Sequence, residues 1–557
     1  MSPLKTLLSI LSLFVVLGIL SIVYPEKGIS LGSKEDPFLT LRFPALTDIF
    51  EKAETEVVQV DSNATPIEKL QAVDPEEALK QMLAATRQKE FTEFSDSLKF
   101  YEDFFKEGMT RFDLPNNDPT WFDRFFKHLE QAATDSSVIH IVHYGDSQLE
   151  EDRISATIRE DLQERFGGGG PGMLPVFLGT PSQTSSYWNN GEQTGALVRH
   201  LIFGDTSDLA PHRRYGILAQ MADLHGAATI NLKKRVDRKG KVDAFPHVGG
   251  YATVKVLANK RGNLKLTLLY DSTSVDSVGV NEDGTTKYKT KVKNVKAAAP
   301  EVEKMNKLAV YTWKLPDTTS SIKIQMSGNA EIYAISADGR YGVAVDNVAM
   351  RGSSGTIFHR IDEELLAESY KAMNAKLIIM EYGGNMVPGM NSNKSKVDWL
   401  KNIITKQIKA IQTANPDADI VFIGPADMAK QIDGKWMTYP GLAITIETLR
   451  QIALENGLAY WDMHRVMGGN RSMMKWVKQS PPLGSADYVH FTRKGASYMG
   501  ELFGEALKVH YDHYKFRERH EISNSKLKEI QTFSDSLRSN AMATEEPAAP
   551  KAPEAAE

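Results

Sequence analysis

The sequence predicts an α/β fold: a parallel sheet covered by helices on both faces and interrupted by an inserted antiparallel β-sandwich. Short continuous apolar runs, Val138 to Tyr144, Leu377 to Tyr382 and Ile420 to Gly424, are separated by helical sequence, as strands buried on both faces are. Leu458 to Trp461 is a weaker further run. Between 180 and 340 this rhythm gives way to period two: Leu264, Leu266 and Leu268 alternate with Lys265 and Thr267, and Ile322, Ile324 and Met326 with Lys323 and Gln325. Gly, Asn and Asp turns between such runs mark antiparallel strands.

The chain has 557 residues, enough for three or four domains of ordinary size. With 41% hydrophobic and 25% charged residues and mean hydropathy −0.33, it is neither disordered, fibrous nor a polytopic membrane protein. Net charge −5 and an isoelectric point near 6.3 give no reason to expect nucleic acid as a partner. There is no cysteine. Disulfides, thiolate metal sites, a cysteine nucleophile and a lipidated cysteine are thereby excluded, and covalent catalysis would run through serine, threonine, lysine or a carboxylate.

In chain order, residues 1–24 are expected to be a transmembrane anchor. Thr6 to Tyr24 carries no charge and is long enough to span a bilayer, and Ser21-Ile22-Val23-Tyr24-Pro25 is a poor cleavage site. One early anchor with all folded mass behind it puts that mass in the periplasm or otherwise outside the cytoplasm. Residues 25–135 read as a stalk followed by helix, where Phe91, Phe94, Leu98, Tyr101 and Phe105 form an amphipathic stripe for packing on the body of the protein. Asp118-Pro119 opens a second helix with Trp121, Phe125 and Leu129.

The α/β domain is expected over 136–179 and 341–520, with the insertion at 180–340. Glu151 to Phe166 reads as a helix closed by Gly167-Gly168-Gly169-Gly170-Pro171-Gly172, a turn rather than a phosphate cradle, because it ends a helix instead of opening one. Across 231–300 there are 15 Lys and Arg against 6 Asp and Glu. Solvated lysines on strand faces and edges explain this surplus most simply; a surface for an anionic polymer is the sharper reading, with Trp188, Tyr251 or Trp313 as candidate sugar-stacking or core residues. The Ala/Pro/Glu-rich end of segment 521–557, after a charged helix, cannot bury a core and should be disordered.

Among possible nucleophiles, Ser147 in His143-Tyr144-Gly145-Asp146-Ser147-Gln148 lies between a strand and a helix, at the strand's carboxyl end. Near the other end of the domain stands Asp487-Tyr488-Val489-His490. An acid three residues before a histidine can hold Nδ1–H and leave Nε2 free to take a serine proton. Asp462/His464 and Asp512/His513 are competing acid–histidine pairs. Gly383-Gly384-Asn385 follows a strand, and an asparagine amide there can donate to an oxyanion. Val348 to Thr356 is again a strand entering a turn of small residues, where Gly355 can offer a backbone N–H.

Together these four segments resemble the SGNH/GDSL hydrolase superfamily, whose blocks supply Ser, Gly, Asn and His in this order. The resemblance covers about 136–179 and 341–515, and it implies a flavodoxin-like three-layer fold. It also implies Ser147 as nucleophile, His490 as general base and then acid, and Asp487 as its orienting partner. The oxyanion hole would be the N–H groups of Ser147 and Gly355 and the Asn385 side chain; no metal or cofactor is implied. Two positions depart from the family pattern: Met386 replaces an Asp, and Gln148 a frequent Leu. The interrupted architecture is further similar to bacterial peptidoglycan and polysaccharide O-acetylesterases and O-acetyltransferases, with a jelly-roll-like insertion. The expected function is that of an anchored serine esterase removing acyl, chiefly acetyl, groups from an envelope polysaccharide or peptidoglycan. Two alternatives stand: an O-acyltransferase, with a membrane-bound acyltransferase as partner, and a glycan-binding scaffold with an idle hydrolase fold.

Overall fold

The structure is a computed structural model describing residues 29–32, 37–41 and 93–529, the last with gaps at 177–186, 193–195, 205–208, 211, 236–244, 281–285, 524 and 528. The chain divides into two compact units, Met1–Phe91 and Thr92–Glu557. In the first, Ile29–Gly32 pairs antiparallel with Pro37–Leu41, a ladder inside the stretch expected to be an extended stalk. The expected anchor at 6–24 and the tail from 544 lie outside the described residues. Among those described, no helix is long and apolar enough to cross a membrane.

The second unit is built on a six-stranded sheet of β1 (Phe112–Asp113), β2 (Val138–Gly145), β3 (Gly342–Ala349), β4 (Ala375–Glu381), β5 (Asp419–Ile423) and β6 (Ala459–Trp461). Their spatial order is β3-β2-β4-β5-β6-β1, parallel except for β1. The five parallel strands thus follow the flavodoxin-like order 2-1-3-4-5, with the crevice expected beside the carboxyl end of β2. Alternation decides what each strand buries. Val142, Tyr144, Ile378, Met380, Ile420 and Phe422 enter one core, and Ile139, Ile141, Leu377, Ile379, Val421 and Ile423 the other. The first is closed by α3 (Glu363–Ala372), α4 (Lys394–Ala414) and α5 (Leu442–Glu455), the second by α1 (Asp123–Thr134), α2 (Ser155–Phe166) and α6 (Arg493–Arg519). Both faces must be apolar because both are covered.

Several expected elements are displaced. β1 and α1, placed by sequence in the helical segment before 136, belong to this body: Phe112, Phe122, Phe125 and Leu129 are buried in its second core. The aromatic stripe packs as expected, with Phe94 on Phe516 (ring centroids 5.3 Å) and Phe105 on His510 (4.8 Å). Helix α2 begins at Ser155 rather than Glu151, because Ser147–Asp152 forms a 3-10 turn in which Glu151 has φ +64°. Gly167 ends α2 at φ +75°, the left-handed exit a glycine allows.

The insertion is antiparallel, but among the described residues its ten strands form one hydrogen-bonded sheet and not two separate ones. Strand Ser321–Asp338 belongs to both halves. Its first part pairs with Asn263–Val280 and Gln220–Lys234; beyond a register shift at Ile332/Ala334 it pairs with Thr253–Asn259 and Gly172–Leu174. The two halves share a core that includes Leu232, Ile324, Val256 and Trp313. Tyr251 and Trp313 are buried there and so cannot serve as sugar platforms; the Trp188 side chain lies outside the described residues. Because Gly172–Leu174 already pairs within this sheet, the insertion begins before residue 180.

Candidate active site

Strand β2 delivers the nucleophile. At Gly145 a Cβ would stand 2.6 Å from Leu149 Cδ1 and 3.1 Å from the Glu381 carbonyl oxygen, so a side chain there would crowd Leu149 and the neighbouring strand β4. Asp146 closes the turn by accepting from the Gln148 N–H (3.0 Å). Ser147 Oγ then lies 2.8 Å from His490 Nε2, and His490 Nδ1 lies 2.7 Å from Asp487 Oδ2. A carboxylate only accepts, so Nδ1 carries the proton and Nε2 is left to accept from the serine hydroxyl. The structure places these three side chains together, with Ser147 and His490 separated by 343 positions in the chain.

The histidine turn holds itself. Asp487 Oδ1 accepts the N–H groups of Val489 (2.9 Å) and His490 (3.0 Å). Burial pushes the Asp487 carboxyl up, but these donors and the imidazole outweigh it and hold it below the ordinary carboxylate range. Gln148 ties this turn to the serine turn: its Nε2 donates to Val489 O (2.9 Å) and its Oε1 accepts from Phe491 N–H (3.2 Å). The departure at Gln148 is therefore a brace that a leucine could not make. Arg153 adds a second brace, donating to Ser147 O (2.6 Å) and Phe491 O (3.1 Å). No motif flags it. Of the competing pairs, Asp462 caps a short helix through Arg465 N–H, and His513 is buried among aromatics.

The oxyanion side differs from expectation at one residue. Gly355 is buried and its N–H donates to Ser353 Oγ (3.1 Å); it does not line the cavity. Its φ is +70°, and a Cβ would stand 2.6 Å from the Tyr382 ring, so glycine serves packing here. Gly352, at φ +75°, does line the cavity, and its N–H has no hydrogen-bond partner among the described residues. Asn385 lines it too, with Nδ2 donating to Asp146 Oδ2 and Ser353 O, both at 3.0 Å. Met386, the other position that departs from the SGNH/GDSL pattern, is buried in the first core and does not line the cavity.

The cavity in front of Ser147 measures about 610 Å³, and Gly424, Pro425, Met428, Met463, Arg351 and Gly352 are among its lining residues. Arg351 makes a bidentate ion pair with Glu150 at its rim (2.6 Å). Beneath the serine lies a polar row that sequence reasoning missed: Ser155 Oγ to His143 Nδ1 (3.1 Å), then His143 Nε2 to Glu381 Oε2 (3.1 Å). Burial pushes Asp146 up to about 7; the Gln148 N–H opposes this, and the nearby Glu381 carboxylate adds to it. The native state therefore holds this proton between about pH 4 and 7 while the unfolded chain has lost it, so stability falls as pH rises through that window. The wild-type advantage over Asp146→Asn in urea unfolding is expected to shrink from pH 4.5 to pH 7.5; a constant difference would contradict this. Among the described residues no group of three or more His, Asp and Glu is placed to hold a metal ion.

Serine, histidine and acid at the carboxyl edge of a 2-1-3-4-5 sheet, with the blocks in this order, define an SGNH/GDSL-type hydrolase fold. No protein-family model and no curated protein matches the sequence. Among solved structures the chain is similar to a peptidoglycan O-acetylesterase, at 17% identity and TM-score 0.51, over 70% of this chain and 95% of that one. An acetyl xylan esterase matches 30% of this chain and 81% of its own at 15% identity and TM-score 0.23. A family two carbohydrate esterase from Cellvibrio japonicus matches 58% and 98% at 10% identity and TM-score 0.21.

Proposed function

We propose that the protein is a serine esterase of the cell envelope that removes O-acetyl groups from a glycan through an acyl-Ser147 intermediate. The observation that carries this is the unbroken relay from Ser147 Oγ to His490 to Asp487, opening into a cavity also lined by Gly352, whose N–H has no hydrogen-bond partner among the described residues. Ser147 Oγ attacks the ester carbonyl as its proton passes to His490 Nε2; the oxyanion meets the N–H groups of Ser147 and Gly352. Asn385 joins them once one of its two donated bonds is released. His490 then protonates the departing sugar oxygen, and a water activated at Nε2 frees the acid. A second cavity of about 530 Å³ shares Glu150 and Arg351 with the first and is walled by Tyr187, Arg199 and Phe203 of the insertion. That supports a substrate longer than one sugar. The uncharged run Thr6–Tyr24 supports attachment to a membrane with the folded mass outside the cytoplasm.

The test is acetate release from O-acetylated cell-wall glycan, with a fluorophosphonate mapped by peptide sequencing. Release of acetate together with label on Ser147 is expected. Acetylated acceptor sugar in place of free acetate would make the protein a transferase, and glycan binding with no label and no turnover would make it a scaffold.

A further inference from the structure

The turn carrying Asp487 and His490 is exposed for a catalytic element: the two side chains are 50% and 35% accessible. It also contains an unfavourable conformation. Tyr488, between the acid and the histidine, has φ +61°, a region that a residue with a large side chain avoids. This left-handed step is what folds the N–H groups of Val489 and His490 back onto Asp487 Oδ1. Glycine would adopt it freely, so the tyrosine must be held.

It is held by a hairpin outside the four segments that carry Ser147, Gly355, Asn385 and His490. Ala429–Ile432 pairs antiparallel with Lys435–Thr438 across Asp433 and Gly434, both at positive φ as a tight hairpin turn requires. The hairpin is rooted by the buried Asp427, which accepts from Thr438 Oγ1 (3.0 Å) and Met473 N–H (2.8 Å). Near its far end Trp436 stacks on the Tyr488 ring, with centroids 3.9 Å apart and planes 18° from parallel. At its first residue Ala429 N–H donates to Tyr488 O (2.9 Å). One stacked pair and one hydrogen bond together match the order of the strain in a single left-handed residue. Trp436 does not line the cavity, so it acts only through the turn.

We propose that Trp436 is a positioning residue: by stacking on Tyr488 it keeps the turn in the conformation that aligns Asp487, His490 and Ser147. The effect on turnover rests on the esterase reading; the effect on the Asp487–His490 hydrogen bond does not. In the full-length protein, Trp436→Ala is expected to lower kcat on 4-nitrophenyl acetate by about tenfold to a hundredfold, the range that a small misplacement of a catalytic group produces. KM should move little. Trp436→Phe and Tyr488→Phe, which keep a ring on each side, should retain most of kcat. In proton NMR, the low-field signal of His490 Nδ1–H should be present in the wild type and both conservative variants and be lost in Trp436→Ala. A wild-type kcat with the signal intact in Trp436→Ala, or no recovery in Trp436→Phe, overturns the proposal. Should Trp436→Ala fail to fold, Tyr488→Ala is read in its place. If the wild type turns over no ester, the esterase reading fails and the NMR signal alone decides the clamp.

Discussion

Ser147→Ala and His490→Ala are each expected to reduce ester turnover by about 10⁶, to a rate set by binding and the remaining oxyanion donors, and the double variant to be no slower than either single one. The reason lies in the geometry: at 2.8 Å the hydroxyl and Nε2 form one unit, so removing either disables both. Asp487→Asn should cost less, about 10³ to 10⁴. A buried acid partner stabilises the imidazolium strongly because its charge is unscreened, whereas half of the Asp487 side chain faces water. What remains is orientation, since Asp487 accepts Nδ1–H and two backbone N–H groups. Those donors hold its carboxyl below the ordinary range. Its stabilising contribution is thus present above about pH 3.8 and is lost only as pH falls below that range. Steady-state kinetics with thermal unfolding as the folding control measures the series. Additive losses in the double variant, or an Asp487→Asn loss equal to that of His490→Ala, would contradict the shared-unit geometry.

What the residues could reveal divides by range. β2, β4 and β5 were legible because a strand covered on both faces must be apolar at nearly every position, and the triad because each member sits at a strand end or before a helix. Gly352 and Gly355 could not be told apart, since both adopt positive φ and the choice turns on where the Ser353 hydroxyl points. The insertion's start was misplaced because a three-residue strand, Gly172–Leu174, has no periodicity to read. The hairpin that holds Tyr488 did leave a signal, Asp433-Gly434 between short strands, which only the packing of Trp436 connects to chemistry. His140 gave none, as its partners are distant in sequence.

His140→Ala is expected to destabilise the protein by about 3–5 kcal/mol, the cost of leaving buried charges without their partner. His140 lies on β2, with Nδ1 2.9 Å from Asp346 Oδ2 on β3 and Nε2 3.6 Å from Asp338 Oδ2, the last residue of the insertion's shared strand. Asp346 also accepts from Met173 N–H in the insertion's first strand (2.6 Å). One imidazolium therefore joins the entry and the exit of the insertion to the sheet that carries Ser147. Burial alone would lower the His140 pKa; the carboxylates of Asp346 and Asp338 overcome it and raise it to about 9. With the unfolded value near 6.5, the native state holds the extra proton between the two, so this contribution is whole below about pH 6.5 and is lost as pH rises through about 9. Urea unfolding should show the wild type losing its advantage over His140→Ala between pH 7 and 10. An advantage that stays constant across that range would mean that the imidazole is neutral in the folded protein, and that the two carboxylates are held by other donors.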